Sequence, residues 1–297
     1  MRHVTVETLL GQAPRYPRRI VCLTEETTEV LYRIGCEELI VGVSGFTVRP
    51  PEARKKPKVS SFLDANYERI LELQPDLVIG FSDLQATLGA ELAKRGVPVV
   101  LFNQRSVAQI LQTIRVIGSM VGFAEKAADL ADALEQNVRE VAAAAVSLPK
   151  RPKVFFEEWH EPLISGIRWC SELVELCGGE DVCVETRTQQ GAKGRIFEPQ
   201  EIARRAPEVV IASWCGRKAK RDKIISRPGW SEVPAVRDDQ LYEIKSAYIL
   251  QPGPAALTDG LAQISKIIAA VAHGERLPEP KPGDLRSAGL PPSFPTL

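Results

Sequence analysis

The chain has 297 residues, 44% of them hydrophobic and 26% charged. These values exclude whole-chain disorder, collagen and coiled coil. Lys+Arg and Asp+Glu both number 38, so the formal net charge is zero and no strong field for nucleic acid or an anionic membrane is expected.

Residues 19–24 (RIVCLT) predict a short buried strand, and Thr24 to Thr28 open a helix carrying Val30, Leu31 and Ile34 at helical spacing. LIVGVSG (39–45) is a second strand, and PPEARKKPKV a proline-bounded loop. SSFLDANYERILELQP leads into a helix, and DLVIGF (76–81) is a third strand. LQATLGAELAKRG reads as a helix and VPVVLFN (97–103) as a fourth strand. Strands alternating with helices predict a parallel sheet.

From Ser106 the pattern turns helical. AEKAADLADALEQNVREVAAAAV is rich in Ala, Leu and Glu and predicts one long helix, ended by Pro149 and Pro152. Alternation then resumes. KVFFEEW (153–159), EVVIASW (208–214) and QLYEIK (240–245) read as strands. SELVELCGG, PQEIARRAP and 254–274 read as helices. The proline-rich end predicts an extended strap on the surface, or disorder. ILELQPDLVIGF (70–81) and IARRAPEVVIAS (202–213) align without gaps at an offset of 132, a weak internal repeat of helix, proline turn and buried strand. The expected fold is α/β, two Rossmann-like lobes with parallel sheets joined by a backbone helix. The divisions are an extension (1–18), an N-terminal lobe (19–112), the connecting helix (113–149), a C-terminal lobe (150–274) and the tail (275–297).

Ligands in such sheets sit outside the carboxyl ends of the strands, so the cleft between lobes is the default site. The strand ends supply Thr24, Glu25, Phe46, Phe62, Asp64, Phe81 and Asn103 in the first lobe. In the second they supply Glu158, Trp159, His160, Trp169, Arg195, Trp214 and Tyr248, with Arg187 in a polar loop. Aromatic groups with a few polar ones suit a large, partly flat ligand. Arg187 and Arg195, and the basic run GRKAKRDK (216–223), are candidate cations for carboxylates or a phosphate. Trp230 reads as structural. Glu157 and Glu158 are adjacent on a strand and point to opposite faces, which disfavours a catalytic pair. With only His3, His160 and His273, no multi-histidine metal site is expected.

RIVCLTEETTEVLYRIGCEELIVGVS, the 50–80 block, the single long helix, FFEEWHEPLISGIRWCSELVELCGGEDV and RPGWSEVPAVRDDQLYEIKSAYILQPGPAALTDGL together resemble the helical-backbone (class III) substrate-binding proteins of ABC importers. The match is closest to their vitamin B12- and iron–siderophore-binding branch. The resemblance covers about residues 18–274. It implies ligand binding without catalysis, no intrinsic cofactor, and a bound corrinoid or related tetrapyrrole, with His160 available to a cobalt or haem iron. It also implies docking on a permease through one glutamate per lobe. Glu68 lies seven residues before Pro75, whereas the matching position before Pro207 is Gln200, with Glu201 one place off.

The alternatives are an importer component for a siderophore or haem, and a chelatase-like enzyme of similar architecture. The N-terminal apolar stretch is broken by Thr5, Glu7 and Thr8, so no secretory leader is read, and no run is apolar enough for membrane insertion. The six cysteines include no C-x-x-C and read as mostly buried, reduced thiols. A cytoplasmic location is therefore expected, periplasmic or extracellular if a leader was removed.

Overall fold

The computed structural model describes residues 15–290. Most of the N-terminal extension (1–14) and the last part of the tail (291–297) lie outside the described residues. The chain divides into two compact units. One runs to Phe102 and takes in Val116–Ala127; the other comprises Asn103–Arg115 and the chain from Ala128 onward.

The first unit has five parallel strands, β1 (Ile20–Cys22), β2 (Ile40–Ser44), β3 (Lys58–Ser60), β4 (Leu77–Phe81) and β5 (Val99–Phe102), in the order β3-β2-β1-β4-β5. Its helices are α1 (Glu25–Arg33), α2 (Tyr67–Glu72) and α3 (Ala86–Lys94). Val21, Leu23, Val59, Ile70, Val78 and Leu88 pack as one buried cluster. Strand order reverses beside β1, so the carboxyl ends of β1 and β4 flank the crevice where such sheets take ligands.

The predicted long helix is present as α5 (Ala124–Ala145, 22 residues), preceded by α4 (Val107–Val121). Gly122 separates them with φ of +84°, and the Tyr16 ring occupies the space a Cβ would need. Divisions between the two units fall inside both helices rather than at their ends.

The second unit holds β6 (Lys153–His160), β7 (Leu163–Ser165), β8 (Glu180–Asp181), β9 (Ile196–Phe197), β10 (Val209–Ala212) and β11 (Leu241–Glu243), ordered β11-β10-β6-β7-β9 with β8 also on β6. Its helices after α5 are α6 (Arg168–Leu176), α7 (Pro199–Arg205), α8 (Arg221–Ile225), α9 (Pro234–Arg237), α10 (Ser246–Ile249) and α11 (Leu261–Ala272). The β11-β10-β6 portion and β8 are parallel, as expected. β7 and β9 are not: each pairs antiparallel with its neighbour. Only Glu161 and Pro162 separate β6 from β7, and a parallel return needs a crossover of a dozen or more residues.

The internal repeat is structural. α2 and α7 begin 132 residues apart, at Tyr67 and Pro199, as do β4 and β10, at Leu77 and Val209. Gln74 and Ala206 each take the left-handed region, with φ of 48° and 50°, turning the chain just before Pro75 and Pro207. The acid that follows grips the neighbouring strand in both copies. Asp76 accepts the Arg18 and Arg19 amides and donates its own amide to the Arg19 carbonyl. Glu208 does the same to Lys153.

The proline-rich tail is an ordered strap through residue 290. Arg286 bridges Tyr242 in parallel, donating its amide to the Leu241 carbonyl and accepting that of Glu243. Its buried guanidinium reaches the Asp239 carboxylate and the Leu277 carbonyl, and Leu277, Leu285 and Ala288 are buried. The strap therefore covers the outer edge of β11.

Candidate functional site

β6 is long for this sheet and outruns β10, because Ala212 pairs with Glu157. Its last residues therefore project beyond the sheet, beside Trp214. Side chains alternate along β6. Glu157 turns towards Trp214 and is fully buried, accepting the Trp214 indole N–H at 2.9 Å and both terminal nitrogens of Arg227 at 2.7–2.8 Å. Arg227 also lies over the Trp230 ring at 4.5 Å. Glu158 turns the other way, to Arg195 at 2.7 Å and to the Ile167 amide. The two adjacent carboxylates thus serve two separate arginines.

On this anchored Trp214 a stack is built. His160 lies 4.3 Å from Trp214 between ring centroids and 5.4 Å from Trp159, with interplanar angles near 30–35°. The Arg217 guanidinium stands 5.5 Å over Trp159, and the Trp159 N–H donates to the Glu161 carbonyl. Burial lowers the proton affinity of His160, with Arg227 and Lys223 acting in the same direction and Glu157 and Glu161 opposing. A neutral imidazole is the form that can ligate a metal. Trp159 and His160 are half-buried, whereas Trp214 is 3% exposed. Of the three aromatic rings, those of Trp159 and His160 keep surface open to a ligand.

In the first unit, large apolar side chains stand exposed at successive strand ends: Phe46 after β2, Leu63 after β3 and Leu84 after β4. Asp64 is exposed and accepts the Ala65 amide, and the Phe62 carbonyl accepts the Gln85 side-chain amide. At the end of β1, Thr24 donates to Glu26 at 2.6 Å. Glu25 is pushed up to about 8 by burial and by Glu26, and Glu26 to about 7 by burial. Phe81 is buried at the end of β4.

Several sequence candidates are occupied with structural partners. Trp169 is 1% exposed and donates its N–H to the Ile249 carbonyl, so its ring belongs to the core. Arg195 is 2% exposed, held by Glu158 and the Ser165 carbonyl. Arg187 is bound to the Ser171 hydroxyl and carbonyl. Asn103 is exposed, and Tyr248 is half-buried in α10. Trp230 is fully buried, in agreement with its structural reading. Arg227 and Leu84 were not among the sequence candidates, and the Arg227 side chain is buried against Glu157 rather than on the surface. The basic run held Arg217 but gave no sign of which cation would meet an aromatic ring.

Glu68 is exposed at the second position of α2, and Gln200 is exposed at the second position of α7. Glu201, one place on, is paired with Arg205 at 2.7 Å. A depression of about 400 Å³ lined by Lys153, Glu180, Val182, Glu185 and Arg205 lies near the start of β6, away from the stack, and its Arg205–Glu185 pair is already made. None of the six cysteines is in a disulfide; five are buried and Cys215 is exposed. Among the described residues no group of three or more His, Cys, Asp or Glu could hold a metal ion, and no helix is long and apolar enough to cross a membrane.

Two mainly parallel sheets, each with aromatic and polar groups gathered at its strands' carboxyl ends, define an α/β protein of the solute-binding class. The chain belongs to the periplasmic binding protein family, whose profile matches residues 20–248. It is 30% identical over 226 residues to a vitamin B12-binding protein of Yersinia pestis (strain Pestoides F), covering 74% of this chain and 76% of that one. It is 26% identical over 261 residues to the uncharacterized ABC transporter substrate-binding lipoprotein YvrC of Bacillus subtilis (strain 168), covering 85% and 80%. Among solved structures, the fold is similar to that of the periplasmic vitamin B12-binding protein BtuF of Vibrio cholerae, with a TM-score of 0.70, 22% identity, and 87% and 99% of the two chains covered. It is equally similar to the periplasmic heme-binding protein RhuT of Roseiflexus sp. RS-1, with a TM-score of 0.70, 22% identity, and 84% and 99% covered. These relatives give the cytoplasmic expectation no support.

Proposed function

We propose that the chain is a non-catalytic binding protein for a large, partly flat tetrapyrrole, a corrinoid in the first instance, and that it acts outside the cytoplasm as the substrate-binding partner of an ABC permease. The Arg217–Trp159–His160–Trp214 stack is the observation that supports this most directly. It offers an aromatic surface at a strand end, backed by a buried ion pair. The names of the relatives supply the ligand class and the transport role.

Haem is the second reading, supported by the likeness of the fold to a periplasmic heme-binding protein; a neutral imidazole at His160 would serve cobalt and haem iron alike. Titration with cobalamin, cobinamide and haemin, followed by absorbance, tests both. Saturable binding near or below micromolar is expected for at least one of them. Displacement of a cobalt or haem band that disappears in His160→Ala would assign the metal contact. Trp159→Ala should weaken binding by about 1–3 kcal/mol, the scale of one buried aromatic contact. Wild-type affinity in that variant would overturn the site. For docking, Glu68 is the proposed contact of the first unit. In the second unit the role falls to Glu201 only if its pair with Arg205 opens. Glu68→Arg should therefore reduce permease-stimulated transport more than Glu201→Arg, and equal losses would contradict that asymmetry.

A further inference from the structure

The segment from 217 to 227 carries six basic residues against a single acid, Asp222. Three of the six are engaged within their own unit. Lys218 pairs with Asp284 at 2.6 Å, Arg221 with Asp239 at 2.6 Å, and Arg227 with Glu157 at 2.7 Å. Arg217, Lys220 and Lys223 stand exposed, with no carboxylate in ion-pair reach among the described residues. The segment is also fixed in place. The Gly216 amide donates to the Ser246 hydroxyl at 3.1 Å, and the Ala219 amide to Glu243 at 2.7 Å. Its unpaired charges are therefore displayed from a tethered loop rather than a loose one.

Arg217 connects this charge to the aromatic stack. Its guanidinium lies over Trp159, a placement that leaves N–H edges able to grip a carboxylate or phosphate in a two-point contact. Lys223 stands near enough to bias the protonation of His160. Arg217 over the Trp159 ring and Lys223 near His160, neither paired with a carboxylate among the described residues, favour an anionic partner over a neutral one.

We infer that this loop is a charge-selecting arm of the stack. It favours a planar ligand carrying an anionic side group, a carboxylate or a phosphodiester, and Arg217 is the residue that meets that group. The inference rests on the reading that the stack holds a planar ligand.

Three probes separate the possibilities. Cobalamin carries a phosphodiester, cobinamide lacks it, and haemin carries two carboxylates. Each is titrated against the wild-type protein, Arg217→Ala, Arg217→Lys and Trp159→Ala. The expected result is that Arg217→Ala lowers the ratio of cobalamin to cobinamide affinity, or of haemin to cobinamide affinity, by about fivefold or more. Arg217→Lys should recover part of it, and high salt should shrink the wild-type ratio. A fall confined to haemin assigns the carboxylate, and one confined to cobalamin assigns the phosphodiester. Equal loss for all three probes, or no loss, overturns the arm. If Trp159→Ala weakens binding while Arg217→Ala changes no ratio, the stack survives and the arm alone falls. If none of the three binds, or Trp159→Ala leaves every affinity unchanged, the planar-ligand reading falls and the arm with it.

Discussion

Glu26 is buried in the first turn of α1, with one carboxylate oxygen bonded to Thr24 and the other lacking a partner. Glu25 beside it feels Glu26 and Glu29 as like charges, with Arg49 opposing and the Val48 amide donating; its charge also reaches Lys58 on β3. Both acids hold protons in the folded state to about pH 7 and about pH 8. Between their unfolded values near 4.5 and these folded values, the native state binds more protons than the unfolded one. Stability therefore falls as pH rises through that window. Glu26→Gln should flatten this dependence and raise the melting temperature at pH 8 by roughly 4 °C, on the scale of one or two kcal/mol. A melting temperature at pH 8 equal to wild type would contradict it. At this scale the strand-end positions of Trp159 and Trp214 were legible from the apolar runs before them, but the burial of Trp214 against Glu157, which takes its ring out of reach of a ligand, was not. It was not legible for Arg187 and Arg195. Their partners lie 16 and 37 residues away in the chain, and nothing local distinguishes a paired arginine from one awaiting a ligand.

Among the elements, α4 and the start of α5 pack at the closest distance glycine allows. A Cβ at Gly118 would fall 2.1 Å from that of Ala127, so Gly118→Ala must push the helices apart. A loss of about 1–3 kcal/mol is expected in denaturant unfolding, and an unchanged midpoint would argue against this packing. The Glu157–Arg227 pair is the second element-scale support. Arg227→Met leaves a buried carboxylate with the Trp214 N–H as its remaining side-chain partner and should cost about 3–5 kcal/mol. Adding Glu157→Gln should restore most of it, and a double variant as unstable as the single would show that packing, not charge, was lost. The major strands and both long helices follow from apolar runs and helix-forming composition. β3, β7, β8 and β9 did not: each has two or three residues and lacks the flanking apolar run that marks the equally short β1. β7 was also masked by a two-residue return that reads as a loop. The repeat at 132 was visible as five matching positions, but its left-handed turn residues, Gln74 and Ala206, carry no glycine to betray them.

For the molecule as a whole, the strap makes residues 275–290 part of the second unit. Parallel sheets leave an edge strand with unpaired backbone groups, and such edges recruit other strands. Here Arg286 pairs with β11, and Leu277 and Leu285 close over it. Ending the chain after Gly274 should destabilise the unit by roughly 3 kcal/mol or more, from lost apolar burial and hydrogen bonds. It should also produce concentration-dependent association, read by sedimentation. A truncated chain that is monomeric and as stable as wild type would refute the strap's role. The sequence allowed an extended strap or disorder; which one holds depends on an arginine reaching Asp239, 47 residues earlier. The ligand's identity is least legible of all, because it depends on which charges remain unpaired once the chain has folded.

Of the six thiols, only Cys215 is open to solvent, and it follows Trp214 directly in the chain. Burial pushes Cys22 and Cys36 up to about 12 and keeps Cys170, Cys177 and Cys183 protonated as well. A maleimide dye should therefore attach once per chain, beside the stack. The unmutated protein would then serve as its own optical sensor, its emission changing as the neighbouring surface fills.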